Sequence, residues 1–564
     1  MVHASESPWW KSAVVYQIYP RSFADSDGDG VGDLRGIIGR LDHLARLGVD
    51  VVWLSPIYRS PQADFGYDIS DYRDIDPLFG TLADLDELIE GLHARGMKLV
   101  MDVVVNHTSD EHPWFLASRS SLDDPKRDWY VWRDARDGAE PNNWGSFFGG
   151  SVWELDEASG QYYLHLFDRK QPDLNWENPD VRAAAYDMMR WWLDRGVDGF
   201  RLDVINFISK VEGLPDAPNP TGTRYVNAFQ MFADGPHVHE YLAEMTREVF
   251  SGREGHMTVG EMPGVTPEEA RRYTGADRGE LDMVFQFEHV QLDQSRFDKF
   301  DYLGLDRAEL RDTLFRWQRE LAETGWNSLY WNNHDQPRAV SRFGDDDPHW
   351  WHRSATALAT VLHGMRGTPY VYQGEELGMT NYPFTRGDEH LDPEAARYYA
   401  NVVELGLDQD AALTGLAKIS RDNARTPMQW DATPHAGFTA GEPWLPVNPN
   451  HVWLNAAAQV DAEGSVFAHY RSLIRLRHEL PVLVDGDFEP LVGAAPEVWA
   501  YTRSTVDASL LVIANCDREP RRVAVGDDWV GAELLLANDD APAVLDSPEV
   551  ELDGWDARIY LRRR

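Results

Sequence analysis

Eight short apolar runs alternate with amphipathic stretches along most of this chain, and that alternation limits what it can fold into. The runs are VVYQIYP (14–20), VDVVWLSP (49–56), KLVMDVVVN (98–106), VDGFRLDVI (197–205), HMTVGE (256–261), LDMVFQF (281–287), SLYWNNHD (328–335) and TPYVYQGEE (368–376). Between the first of them lie helix-patterned segments such as GIIGRLDHLARLG (36–48) and LADLDELIEGLHARG (82–96). Strands apolar on both faces and separated by helices belong to parallel sheets covered on both sides. Eight such units predict an α/β fold, a (β/α)₈ TIM barrel.

The alternation breaks twice. Residues 107–178 are rich in Trp, Asp and Gly, show no clean helix, and contain a strand-like GQYYLHLF (160–167). They are expected to form a small domain inserted after the third strand. From about residue 486 short runs such as VWAYTR (498–503), SLLVIANC (509–516), RRVAV (521–525), AELLLAN (532–538) and ARIYLR (557–562) predict an antiparallel β-sandwich. The expected division is therefore barrel 1–106, insertion 107–178, barrel 179–485 and C-terminal β domain 486–564. No internal repeat and no low-complexity tract interrupts it.

Composition narrows the function classes. With 94 acidic and 53 basic residues the net charge is −41, which repels phosphate backbones and anionic membranes. No apolar run reaches the ~18 residues that span a bilayer. The first twenty residues lack the basic start and apolar core of a signal peptide, so a cytoplasmic location is expected. The single cysteine, Cys516, rules out a disulfide within the chain and a cysteine zinc site.

Barrel enzymes work at the C-terminal ends of their strands. Here those ends carry Asp102, Asn106 and His107 (third), Arg201 and Asp203 (fourth), Glu261 (fifth), and His334 and Asp335 (seventh). Acids at four matching positions point to a carboxylate-based chemistry. In order, MDVVVNH, GFRLDVI, VGEMP and NNHD resemble the four signature regions of the alpha-amylase family, glycoside hydrolase family 13. QPDLN (171–175) resembles the added signature of its oligo-1,6-glucosidase subgroup. The resemblance runs from QIYPRSF (17–23) into the C-terminal β domain.

That resemblance implies a retaining hydrolysis with two carboxyl groups across the scissile bond. It implies Asp203 as nucleophile, kept ionised by Arg201, Glu261 as acid and then base, and Asp335 as the third acid. His107 and His334 match histidines that bind glucose hydroxyls, and Tyr67 matches the aromatic platform under the ring. Asp64 and Arg425 match a pair that grips the non-reducing end and closes the pocket, which implies exo action. Phe167 and Phe287 are candidate apolar walls. Val204, after the nucleophile, matches the α-1,6-acting branch, and GEELGMTN (374–381) places Glu376 as an aglycone contact. The implied activity is release of glucose from short α-1,6-glucosides. Glucosyl transfer or sucrose isomerisation on the same scaffold stays open, as does a non-catalytic relative of the transporter heavy-chain type, although all three acids are retained. The expected partner is a small oligosaccharide, with the chain a monomer or weak homo-oligomer.

One further motif has metal-ligand spacing. DSDGDGVGD (25–33) sets Asp25, Asp27, Asp29 and Asp33 at intervals, with the Val31 carbonyl between them. Hard oxygen ligands so spaced suit a structural Ca²⁺, or Mg²⁺ with waters. The loop is not an EF-hand, because the position of its bidentate Glu is Gly36.

Overall fold

The computed structural model describes residues 7–220, 222–275, 278–295 and 298–563. All eight expected strands are present: β1 (Val15–Ile18), β2 (Val51–Leu54), β3 (Lys98–Val103), β4 (Gly199–Leu202), β5 (Met257–Glu261), β6 (Met283–Phe285), β7 (Ser328–Leu329) and β8 (Thr368–Tyr372). They belong to one sheet of order β6-β5-β4-β3-β2-β1-β8-β7. Apart from Lys98 at the start of β3, every residue of these strands is buried, as a sheet covered on both faces requires. Among the described residues no helix is long and apolar enough to cross a membrane.

The chain forms two compact units, residues 54–90 with 99–286, and residues 1–53, 91–98 and 287–564. In the first, β3 pairs with β4 and β4 with β5, all parallel. The register sets Asp102 opposite Arg201, and Arg201 opposite Val259. Side chains alternate between faces, so Asp102, Arg201, Asp203 and Glu261 share one face. Helix α1 (Pro179–Arg195) leads into β4. Asn178 caps it by accepting from the Asp180 N–H, and Gly196 ends it at φ +113. That conformation favours glycine.

The insertion holds three antiparallel strands, Trp132–Asp134, Gln161–Leu164 and Trp153–Asp156, in that spatial order. It also holds a helix at Pro113–Ser120, where the sequence led us to expect none. Its proline occupies the first turn, where the missing N–H costs nothing, and His112 caps it. Part of the insertion packs within itself, Phe115 against Tyr130, Trp132 and Tyr163, and part is shared: Trp144, Val152, Trp153, Leu164 and Leu166 pack in one cluster with Val204, Phe207, Ala228 and Phe232 from beyond β4.

In the second unit β1 pairs with β8 and β8 with β7, again parallel. The C-terminal strands are β9 (Asp487–Pro490), β10 (Val498–Ser504), β11 (Ala508–Asn515), β12 (Arg521–Ala524), β13 (Glu533–Ala537), β14 (Glu549–Leu552) and β15 (Ala557–Arg563). They form a five-stranded antiparallel sheet, β9-β10-β11-β15-β13, and a β12–β14 pair. Val523, Val550 and Leu552 of the pair share a core with Val498, Leu511, Ile513 and Tyr560 of the sheet. The domain is seated by Tyr501, whose hydroxyl donates to the Val361 carbonyl at 2.6 Å. A side chain at Gly364 would meet that hydroxyl at 2.3 Å.

Candidate active site

In the first unit one guanidinium organises three acids. Arg201 Nη1 donates to Asp102 Oδ1 and to Asp203 Oδ1, each at 2.6 Å, and Nη2 lies 2.6 Å from Glu261 Oε1. Arg201 is 1% exposed. Burial alone would lower its pKa, but Asp102, Glu261 and Asp203 together push it well above the ordinary arginine range. Charge-assisted contacts this short fix position as well as charge. The Asp203 N–H continues the ladder by donating to the Val103 carbonyl at 2.9 Å.

After Asp203 the backbone turns sharply. Val204 has φ +36 and ψ +42, a left-handed conformation costly for a β-branched residue. The turn aims the Val204 N–H at Glu261 Oε2, 3.2 Å away. Its side chain enters the apolar cluster described above, and Phe167 packs against that cluster.

Tyr67 donates to Asp102 Oδ2 at 3.2 Å, with the Arg201 guanidinium 5.9 Å from its ring centre. His107 contacts the Tyr67 carbonyl at 3.2 Å through Nε2. Burial lowers its pKa to about 4, so it is neutral at physiological pH. Gln171, of QPDLN, places its amide nitrogen 3.2 Å from both His107 Nε2 and Asp64 Oδ2. Asp173 of the same motif accepts from Leu166 N–H, Asn106 and Lys210. The motif thus ties the insertion to the end of β3. Asp64 is buried, its N–H donating to Asp68, whose pKa burial raises to about 6. Phe167 is half-buried, stacked on Phe147 at 5.0 Å and tilted against His107 at 5.2 Å.

In the second unit the polarity reverses. Asp335 Oδ1 accepts from Arg425 Nη2 at 2.7 Å and Arg421 Nη1 at 3.3 Å, and Oδ2 lies 3.4 Å from His334 Nε2. Both arginines also face Asp392, and Lys299 pairs with Glu394 nearby. Burial opposes the charge on Asp335, yet His334, Arg421, Arg425 and Lys299 hold its pKa far below the usual carboxylate range. Arg425 is 1% exposed and also donates to the His334 carbonyl at 3.0 Å. Phe287 is half-buried at the start of a single helical turn, Glu288–Val290.

Glu376 needs correction. It is fully buried, and its oxygens accept from the Tyr16 hydroxyl (2.9 Å) and the Gly374 N–H (2.8 Å) and meet His43 Nε2 (2.9 Å). A carboxylate so enclosed supports the loop after β8 and does not reach an aglycone sugar.

Asp25, Asp27 and Asp29 each offer an oxygen, mutually within 4.8 Å. Calcium–oxygen distances of about 2.3–2.6 Å allow two ligands of one ion to lie that far apart, so the donor set fits a hard cation. Asp33 is otherwise occupied: it caps the helix Leu34–Ile38 through the Gly36 N–H and accepts from Ser26. The Val31 N–H donates to Asp29.

Three residues of this machinery have no role assigned from the sequence. Asp102 had been noted only as a strand-end acid. Its parity with Arg201 across β3 and β4 is the signal that places it. Arg421 stands four residues before Arg425, one helical turn away, in RDNARTPMQW. Asp392 reads locally only as the cap of the helix Pro393–Leu405, where it accepts from the Ala395 N–H, so nothing near it in sequence points to the two arginines.

Against known proteins, residues 17–486 match the model of the alpha amylase catalytic domain. The chain is 54% identical over 558 residues to an oligo-1,6-glucosidase of Parageobacillus thermoglucosidasius, covering 98% of this chain and 99% of that one. Among solved structures it resembles a trehalulose synthase bound to Tris (TM-score 0.95, 46% identity, 99% of this chain and 100% of that one). It also resembles a trehalose-6-phosphate hydrolase of Bacillus licheniformis (TM-score 0.93, 46% identity, 98% and 100%). With the family model spanning most of the sequence and half its residues shared with a full-length relative, the chain belongs to the alpha-amylase family and is a glycoside hydrolase.

Proposed function

We propose that this enzyme is a retaining, exo-acting α-glucosidase that releases glucose from the non-reducing end of short α-1,6-glucosides such as isomaltose. The observation that supports it most is the single Arg201 guanidinium holding Asp203 and Glu261 on its two amino groups. Carboxyl groups tied to one small cation suit the close spacing of a retaining pair, about 5–5.5 Å. In this reading Asp203 attacks the anomeric carbon, and Glu261 protonates the leaving oxygen and then activates water. Within the unit three carboxylates share one cation. The surplus negative charge favours protonating one of them, and Glu261 is assigned that proton.

Asp335 is assigned to the sugar hydroxyls and the cationic transition state, staying ionised throughout. His107, which is neutral, and His334 bind hydroxyls, Tyr67 supports the ring, Phe167 and Phe287 wall the site, and Asp64 and Arg425 hold the terminal glucose. Asp25, Asp27 and Asp29, with the Val31 carbonyl, are assigned to a structural Ca²⁺ or Mg²⁺, while Asp33 caps the helix that follows. A cytoplasmic location and a monomeric or weakly associated state complete the proposal.

Linkage preference is assigned to Val204, whose counterpart resembles that of α-1,6-acting enzymes. The test compares kcat/KM for isomaltose, maltose, sucrose, trehalose and trehalose 6-phosphate in wild type and Val204→Thr, with all products followed. Threonine keeps the size but adds a hydroxyl in an apolar cluster, so it is not a neutral change. The isomaltose-to-maltose ratio should exceed one in wild type and fall roughly 10- to 200-fold in the variant. A wild type that prefers maltose overturns the α-1,6 assignment. Conversion of sucrose to an isomer favours the second reading, for which the resemblance to a trehalulose synthase is the specific support.

A further inference from the structure

We propose that Gln17 is a positioning residue that keeps the proton of His334 on Nε2, the edge facing Asp335. The proposal rests on the reading above in that His334 is taken to bind a substrate hydroxyl. Gln17 lies in β1, 1% exposed, with its amide nitrogen 2.8 Å from His334 Nδ1. An amide NH₂ only donates, so Nδ1 must present its lone pair. The opposite edge demands the same tautomer: Nε2 lies 3.4 Å from Oδ2 of Asp335, a carboxylate whose Oδ1 accepts from Arg425 at 2.7 Å and Arg421 at 3.3 Å. A lone pair there would face an anion, whereas a proton on both nitrogens would face the Gln17 N–H. The neutral Nε2–H form satisfies both sides. The hydrogen bond at one ring nitrogen decides what the other can do.

The ring cannot turn to escape this choice. It is fully buried, stacked on Tyr19 at 5.8 Å with planes 14° apart, and Trp53 meets it edge-on at 6.1 Å. Gln17 is itself pinned. Its carbonyl accepts from the Gln373 N–H at 3.0 Å, and the Gln373 side chain accepts from the Tyr19 N–H at 2.8 Å. Strand β1 thus delivers the partner of a histidine more than 300 residues away.

Gln17→Glu tests this with little change of shape. A carboxylate accepts where the amide donated, so it should draw a proton onto Nδ1 and make the ring an imidazolium between two anions. Gln17→Leu removes the partner altogether. In ¹⁵N-histidine-labelled protein without substrate, with His334→Gln used for assignment, the His334 Nδ1 resonance should sit at the unprotonated position in wild type and at the protonated position in Gln17→Glu. With isomaltose or whichever substrate the panel identifies, kcat should fall roughly 10- to 100-fold in both variants, as for outer partners of working histidines, with KM moving less. The pH profile of Gln17→Glu should gain a new ionisation. Should the leucine variant fail to fold, the near-isosteric glutamate variant decides. A protonated Nδ1 in wild type, or wild-type kcat and an unchanged pH profile in Gln17→Glu, overturns the proposal. Absence of α-glucosidase activity in wild type would overturn the functional reading alone, because the tautomer is measured on the free protein.

Discussion

Two acid clusters of this enzyme are wired in opposite senses. In the unit of β3 to β6, one guanidinium serves Asp102, Asp203 and Glu261. In the other unit, Arg421, Arg425 and Lys299 serve Asp335, Asp392 and Glu394, and His334 faces Asp335 as well. The first cluster is short of positive charge and the second is balanced. Charge surplus makes proton uptake easy, which suits a site that must hold one acid in its neutral form. Balance prevents proton uptake, which suits an acid that must stay charged beside a sugar acquiring positive character.

The comparison breaks if neutralising one acid in each cluster gives the same result. Asp203→Asn should abolish turnover, a loss on the order of 10⁴-fold or more, since the proposed covalent step disappears. Its melting temperature should stay level or rise, because one surplus negative charge has gone. Steady-state kinetics and calorimetry check both halves. Near-normal turnover would remove Asp203 from the nucleophile role.

Asp335→Asn should also lose activity, but here stability should fall, by about 3 kcal/mol. That is the lower end for stripping one partner from a buried pair, as Asp392 still faces both arginines. The pH dependence has a definite sign. The folded pKa of Asp335 is depressed, so its contribution is present above the unfolded carboxylate range and is lost as pH falls below it. The stability gap between wild type and Asp335→Asn should therefore be full at pH 7 and narrow as pH drops below about 4. A variant as stable as wild type at pH 7 would show that the arginines do not depend on this carboxylate.

A third acid group sharpens the contrast, for Asp25, Asp27 and Asp29 pair with no basic side chain among the described residues. Their mutual repulsion contributes to a raised Asp29 pKa, second to burial. If a divalent ion supplies the missing charge, adding it to chelated protein at 100 times its Kd should recover about 2.7 kcal/mol of stability. Activity at low temperature should change little. Metal analysis with thermal melts, before and after chelation, checks this; no bound ion and no shift would leave only an acidic turn.

How much of this was legible beforehand depends on the range of the interaction. The eight strands were readable because burial on both faces leaves a continuous apolar run. Asp203, Glu261 and Asp335 were readable because they stand inside compact motifs. Edge strands β9 and β14 were missed: both are short, and β14 alternates exposed and buried residues without an apolar run. The insertion was readable as a change of composition, whereas the cluster it shares with residues 204–233 was not, because only the folded chain brings those residues near. Glu376 was misplaced for a related reason. A carboxylate next to a strand end looks catalytic until its partners Tyr16 and His43, more than 300 residues upstream, are seen.

The neighbour of Glu376 offers the cleanest sign. Glu375 is buried, and Tyr470 donates to its Oε1 at 2.8 Å while Oε2 has no partner among the described residues. Burial raises its pKa to about 8, with Glu376 raising it further and Tyr470 and Arg338 opposing. The ring of buried His363 packs edge-on against Tyr470 from the next helix. Glu375 thus carries a proton at neutral pH, unlike Asp335. Its folded pKa lies above its unfolded one, so its contribution is complete below about pH 4.5 and declines as pH rises toward 8. Over that window the unfolded chain has released a proton that the native state retains, and stability falls by about 1.4 kcal/mol per pH unit. Glutamine has the same shape and no proton to lose. The melting temperature of Glu375→Gln relative to wild type should therefore climb between pH 5 and 8 and level off above it, with catalysis at neutral pH little changed. Parallel melting curves across that range would show that Glu375 is ionised in the folded protein, with Tyr470 and Arg338 outweighing the burial that raises its pKa.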